Sequence, residues 1–298
     1  MDGTDRYLPA AALKLRLIAP EVADNPGSDT LDLEDAFKWT GKRIVDWIDG
    51  VINNVDDDEV VREKLKAMAT LLKSLSRRER DPSLETGTGT YVAGNEFFAY
   101  KGYDPGHHIY RHGDLDPKGK GMIYKLKSFQ FADIDLWSPY DLLGYLLMAL
   151  GMDPPNATKR NFYLPLTAMY AKWCSKLAGH HPNDKNVPND QIRPGNWPTV
   201  YQCTWLPRTE EAQLWHGTIR FALGASFQGA DFRKPMEGPG VNNGWRARII
   251  EGRKNQLQTK GFLPKNVKGD VLPPEKNKKA AWGNCGEVYP FLTMFRLV

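Results

Sequence analysis

The stretch "WSPYDLLGYLLMALGMDPP" (residues 137–155) constrains the fold more than any other part of the chain. Ser138 can cap a helix through its hydroxyl. Pro139 suits the first helical position, where an N–H would have no helical partner, and Gly151 with Pro154 beyond it forms a stop signal. Between these signals the residues are apolar on most sides, so the helix lacks a solvated face and belongs at the centre of a core. It is too short to supply the ~20 apolar residues that cross a bilayer, and no other window approaches that length.

Two further runs read as helices around this centre. "LEDAFKWTGKRIVDWIDGVINNV" repeats Phe37, Ile44, Val45, Ile48, Val51 and Ile52 at helical spacing, with Asp32, Glu34 and Asp35 near its start, where negative charge complements the helix dipole. "DDDEVVREKLKAMATLLKSLSRRER" steps Val61, Leu65, Met68, Leu72 and Leu75 by fours and threes, opened by Asp56 to Asp58 and closed by Arg77, Arg78 and Arg80. Together they predict an antiparallel helical hairpin whose Met and aromatic stripe faces the core. The turn-rich "DPSLETGTGTYVAGN" then marks a boundary around residues 81–95, separating a helical N-terminal region, 1–85, from an α+β domain, 86–298.

Beyond the boundary the texture changes. "NEFFAYKGY", "HHIYR" and "GMIYKLKSFQF" are short aromatic or alternating runs, consistent with small strands or extended loops. "YLPLTAMYAKWCSKLAG" predicts a helix ending at Gly179, followed by a Pro- and Asn-rich connector from His180 to Pro198. Another helix is expected from Thr209, carrying Leu214, Trp215, Ile219 and Phe221, and "WRARIIEGR" reads as a strand. The expected class is α+β, predominantly helical, with a small sheet toward the C-terminus.

With 41% hydrophobic residues in 298, the chain can bury a sizeable core, which excludes global disorder. The N-terminus lacks a basic start followed by an apolar run, and Cys174, Cys203 and Cys285 are too few and too far apart for a disulfide framework. These features predict a soluble, unexported protein of the cytoplasm or nucleus, with reduced thiols and no membrane partner. Charge is unevenly distributed: residues 1–60 carry 14 Asp/Glu against 6 Lys/Arg, whereas 245–279 carry 10 Lys/Arg against 3 Asp/Glu. The basic stretch reads first as a solvated loop, since its charges alternate with Pro and Gly. Its alternative is an interface in which Arg246, Arg248, Arg253 and Lys254, beside Trp245 and Trp282, meet nucleic-acid phosphates and bases or an acidic protein surface.

The histidines His107, His108 and His112 in "GHHIYRHGD" would need a helix to bring two rings to one face, and Pro105, Gly106 and Gly113 argue for strand or loop instead. No phosphate loop, nucleophile elbow or H-E-x-x-H is present. In "WGNCGEVYPFL", Glu287 follows Cys285 by two places. This half-motif resembles the C-x-E of zinc-dependent nucleoside and nucleic-acid deaminases, in particular the deaminase-like domains of fungal proteins, over residues 245–298.

The resemblance implies that Cys285 holds zinc, that Glu287 shuttles a proton to the leaving amine, and that Asn284 caps the following helix. The family completes its site with P-C-x-x-C on the next helix, which these 298 residues do not contain, and Pro290 would interrupt a helix that began at Cys285. Three outcomes stay open at this point: a thiol in a turn followed by a surface glutamate, an incomplete or inactive zinc-dependent nucleobase deaminase relative, or an active enzyme. Outside that family, the alternative is a non-enzymatic nucleic-acid-associated protein using 245–279, or a self-assembling subunit in which acidic N-terminal helices meet that basic segment.

Overall fold

The computed structural model describes residues 13–15, 30–55, 59–76, 110–115, 122–126, 129–131, 133–178, 198, 200–206, 220–226, 245–272 and 282–294. Along the chain come strands β1 (Leu13–Leu15) and β2 (Thr30–Leu31), then helices α1 (Leu33–Lys38), α2 (Gly41–Ile52) and α3 (Glu59–Ser76). Strands β3 (Tyr110–Leu115), β4 (Met122–Leu126), β5 (Phe129–Phe131) and β6 (Ile134–Leu136) lead into α4 (Pro139–Leu150) and β7 (Gly151–Met152). A π-helical turn, Lys159–Tyr163, runs directly into α5 (Leu164–Ala178), followed by β8 (Tyr201–Trp205), β9 (Phe221–Ala225), α6 (Trp245–Thr259) and α7 (Val288–Met294). The strands form small sheets, β2-β1-β7, β3-β4, β5-β6 and β8-β9, and the described pairings are antiparallel. This is an α+β fold in which helices predominate.

α4 occupies the centre that its sequence requires. The Ser138 side chain accepts a hydrogen bond from the Asp141 amide, Pro139 sits in the first turn, and Gly151 ends the helix in an extended conformation. Leu142, Leu143, Leu146, Leu147 and Leu150 are all buried. One hydrophobic cluster runs from Leu31 through α2, α3, α4 and α5 to Met294. The N-terminal helices therefore share a core with the later elements; the boundary expected at 81–95 lies outside the described residues.

The first helical run is broken in two. Asp32 caps α1 by accepting from the Asp35 amide, and Thr40 caps α2 by accepting from the Arg43 amide at 3.2 Å. Apolar periodicity does not reveal this break, because Trp39 between the helices is as buried as Ile44 beyond it. Trp39, Trp47 and Trp173 pack with ring centroids 5.4 to 5.9 Å apart, and the Trp173 indole donates to the Ala36 carbonyl at 2.7 Å, locking α1 and α2 onto α5.

Two expected elements differ in the structure. "WRARIIEGR" is the start of helix α6, not a strand. Its buried face includes Arg253 four residues before Leu257, so a charge sits where the helical pattern calls for an apolar residue. Phe221, assigned above to a helix, opens strand β9; the preceding residues, 207–219, lie outside the described set. The segment holding His112 is strand β3, which removes the helical face on which a histidine pair would depend, while His107 and His108 are outside the described residues. Among the described residues, no helix is long and apolar enough to cross a membrane.

Candidate functional site

The site is built on the β8–β9 hairpin, whose faces are set by strand alternation. On one face Tyr201 and Trp205 meet Tyr170 and Tyr163 of the α5 region, with centroids 5.5 and 4.5 Å apart, and Cys203 lies beside Thr167. Gly224, opposite Gln202 in the register, turns to the other face. A Cβ there would run into the Gly286 carbonyl and the Pro290 ring, so the turn entering α7 lies directly on the strand.

A second glycine fixes the other side of that turn. Gly283 has φ +89°, a left-handed conformation that side chains rarely adopt, and a Cβ on it would collide with the Ile250 carbonyl and the Lys254 amide of α6. The Trp282 indole donates to the Leu272 carbonyl at 2.9 Å. The segment from Trp282 to Glu287 is thus wedged between a helix and a strand at positions that accept no side chain.

Arg253 joins these pieces from beneath. Its guanidinium pairs with the Asp141 carboxylate of α4 and donates to the carbonyls of Ala225 (3.3 Å) and Gly283 (3.5 Å). It also lies 5.1 Å from the centroid of the Tyr289 ring. Burial works against its charge, but Asp141 and Tyr289 outweigh that and hold the guanidinium firmly protonated. Gln256, one turn further along α6, bonds both backbone groups of Asp135 at 2.8 Å, and the Tyr289 hydroxyl donates to the Asp135 carbonyl at 3.0 Å.

This frame presents Cys285 and Glu287 together. Cys285 lies at the surface with its thiol partly sheltered beside Glu287; that shelter, then the carboxylate's charge and hydrogen bond, push the thiol pKa up. Helix α7 starts at Val288, and the Glu287 carbonyl accepts its first helical bond, from Phe291 at 2.9 Å. Glu287 therefore occupies the cap position expected for Asn284. Pro290 falls in the first turn, where no helical N–H is required, because the helix does not begin at Cys285 as the resemblance implies. Beside the turn, Ser226 Oγ and Asn284 Oδ1 are buried without a hydrogen-bond partner among the described residues, polar atoms that a water molecule or ligand group would satisfy.

In the arrangement that the resemblance implies, Cys285 is the one ligand and Glu287 the proton carrier, whereas a catalytic zinc centre takes about three protein ligands and a structural one about four. Among the described residues no third His, Cys, Asp or Glu joins them. The described residues around Cys285 and Glu287 therefore do not make up a full ligand set.

The basic residues fare differently. Arg253, expected to meet phosphates, is the internal cation just described, and its 1% exposure keeps it from any external anion. Lys254 bonds Glu251 at 3.2 Å and Lys260 pairs with Asp133. Arg246 and Arg248 fall in the first turns of α6, and their side chains lie outside the description. The sequence did not single out Asp141, Ser226 or the role of Arg253. An acidic residue three places after a Ser-Pro helix start was the only visible hint of Asp141.

Comparison of the chain with family models, with curated proteins and with solved structures gives no match in any of the three.

Proposed function

We propose that this chain is a zinc-dependent nucleobase deaminase-like protein whose C-x-E turn is a half-site, incomplete within these residues and without turnover of its own. One observation carries the reading: close packing at two glycines, Gly224 and Gly283, and a buried guanidinium support the Cys285–Glu287 turn, with thiol and carboxylate side by side at the surface. When bound, zinc supplies Lewis acidity to a water molecule. The residues of this chain orient the two groups: Cys285 offers sulfur, Glu287 a carboxylate able to accept and return a proton, and close packing at Gly283 and Gly224 positions the turn that carries both.

Cobalt(II) titration of the purified protein tests this through the thiolate-to-metal charge-transfer band. A weak, saturable band that disappears in Cys285→Ser and weakens in Glu287→Gln is expected. No band in the wild type, or one that survives Cys285→Ser, sinks the half-site; stoichiometric tight binding overturns its incompleteness. The nucleic-acid reading of 245–279 has less support, because Arg253, Lys254 and Lys260 are each engaged by a carboxylate within the protein.

A further inference from the structure

A cleft of about 320 Å³ opens where the loop after β7 meets the end of β8, lined by Pro155, Asn156, Ala157, Thr158, Tyr163, Trp205 and Leu206. It lies on the α5 face of the β8–β9 hairpin, whereas the Cys285–Glu287 turn rests on the opposite face at Gly224. The two sites are therefore separate.

The cleft wall is built with some care. Tyr163 and Trp205 stack with centroids 4.5 Å apart and planes 10° from parallel. Tyr163 is the last residue of the π-helical turn, and its hydroxyl donates to the buried Asp153 carboxylate at 2.9 Å. A π turn is a poorer arrangement than continued α-helix and recurs at functional sites. Here a reciprocal capping box holds it: the Asn161 amide donates to Thr158 Oγ1 at 3.2 Å and the Thr158 amide to Asn161 Oδ1 at 2.7 Å. The consequence is an aromatic pair fixed in position at the side of an open cleft.

We propose that this cleft binds a planar heteroaromatic ring carrying one anionic group, of the size of a nucleoside monophosphate. Apolar walls from Pro155, Ala157, Trp205 and Leu206 suit a ring face, and the exposed Asn156 carboxamide offers both a donor and an acceptor to a ring edge. The volume lies at the small end of ligand sites, about 300–1,000 Å³. Lys159, which follows the lining residue Thr158, is exposed at the start of the helix that continues as α5, so a cation and the positive end of a helix dipole favour an anion on this side of the cleft.

Calorimetric titration of the full chain with adenosine and cytidine 5′-monophosphates, with adenosine and inorganic phosphate as comparison arms, tests the assignment. Saturable binding of a monophosphate is expected, several-fold tighter than adenosine and far tighter than phosphate alone. Lys159→Glu should weaken the monophosphate at least about fivefold while leaving adenosine unchanged, and Asn156→Ala should weaken both; both positions are exposed, so the variants keep the fold. Trp205→Leu should abolish binding, with circular dichroism confirming that the protein remains folded. Absence of saturable binding, equal affinity for phosphate alone, or affinity unmoved by Lys159→Glu and Asn156→Ala overturns the proposal. None of these outcomes bears on metal binding at Cys285.

Discussion

Arg253 and Asp141 form an ion pair sealed inside the protein, 1% and 0% exposed, between residues 112 positions apart. It joins α6 to the N-terminal turn of the central helix, and guanidinium Nη1 donates to the carbonyls of Ala225 in β9 and Gly283 in the C-x-E turn. Removing one member of a buried pair strands the other charge, which costs about 3–5 kcal/mol. Arg253→Met should therefore lower the urea midpoint sharply, and Arg253→Met with Asp141→Leu should recover a large part of the loss. A double variant no more stable than the single one would show that stranded charge is not the source of the effect.

Glycine positions separate conformational strain from lack of space. Gly261 and Gly283 have φ of +78° and +89°, but a Cβ on Gly261 meets nothing within 4 Å, while one on Gly283 meets the α6 backbone. Gly261→Ala should cost about 1 kcal/mol, the left-handed penalty alone. Gly283→Ala should cost at least about twice that, and should weaken the cobalt band as the turn shifts. Equal costs in denaturant titrations would mean that the turn is not wedged against α6.

Partial burial, and after it the charge and hydrogen bond of Glu287, push the Cys285 thiol pKa up. Shelter and the neighbouring charge disfavour the thiolate, whereas Cys174 and Cys203 are pushed up mainly by burial. Iodoacetamide should label Cys285 first of the three thiols, with a pH midpoint above that of a free thiol. Glu287→Gln removes the repelling charge, so the midpoint should move down and labelling at neutral pH should accelerate. An unchanged profile would separate the two side chains.

Caps and apolar runs were legible because they are local. Ser138, Pro139 and Gly151 bracket α4 as their chemistry demands, and the apolar spacing of α2 and α3 corresponds to their buried faces. What escaped depends on partners distant in sequence. Arg253 reads as a surface cation until Asp141 is brought to it, and that same charge hid the helical face of α6. The C-x-E spacing was visible, but the reason Pro290 is tolerated was not. It depends on α7 starting three residues after Cys285, at Val288.

Buried acids that are neutral when protonated make stability fall in alkali. Burial pushes Cys203 up to about 12, and it raises Cys174, Tyr170 and Tyr289 well above their ordinary values. In the unfolded chain a thiol ionises near about pH 8.5 and a phenol near about 10. Between those values and the folded ones the native state binds more protons than the unfolded state, so stability declines as pH rises, by about 1.4 kcal/mol per unit for each such group. Below the unfolded values the contribution is fully present. The urea midpoint should thus be insensitive to these groups from about pH 6 to 8, and then fall progressively through about pH 9 to 11. Cys203→Val removes one titrating group from the pocket beside Thr167 and should make the early part of that decline shallower. The same slope in wild type and variant would show that Cys203 ionises as readily in the folded protein as in the unfolded chain.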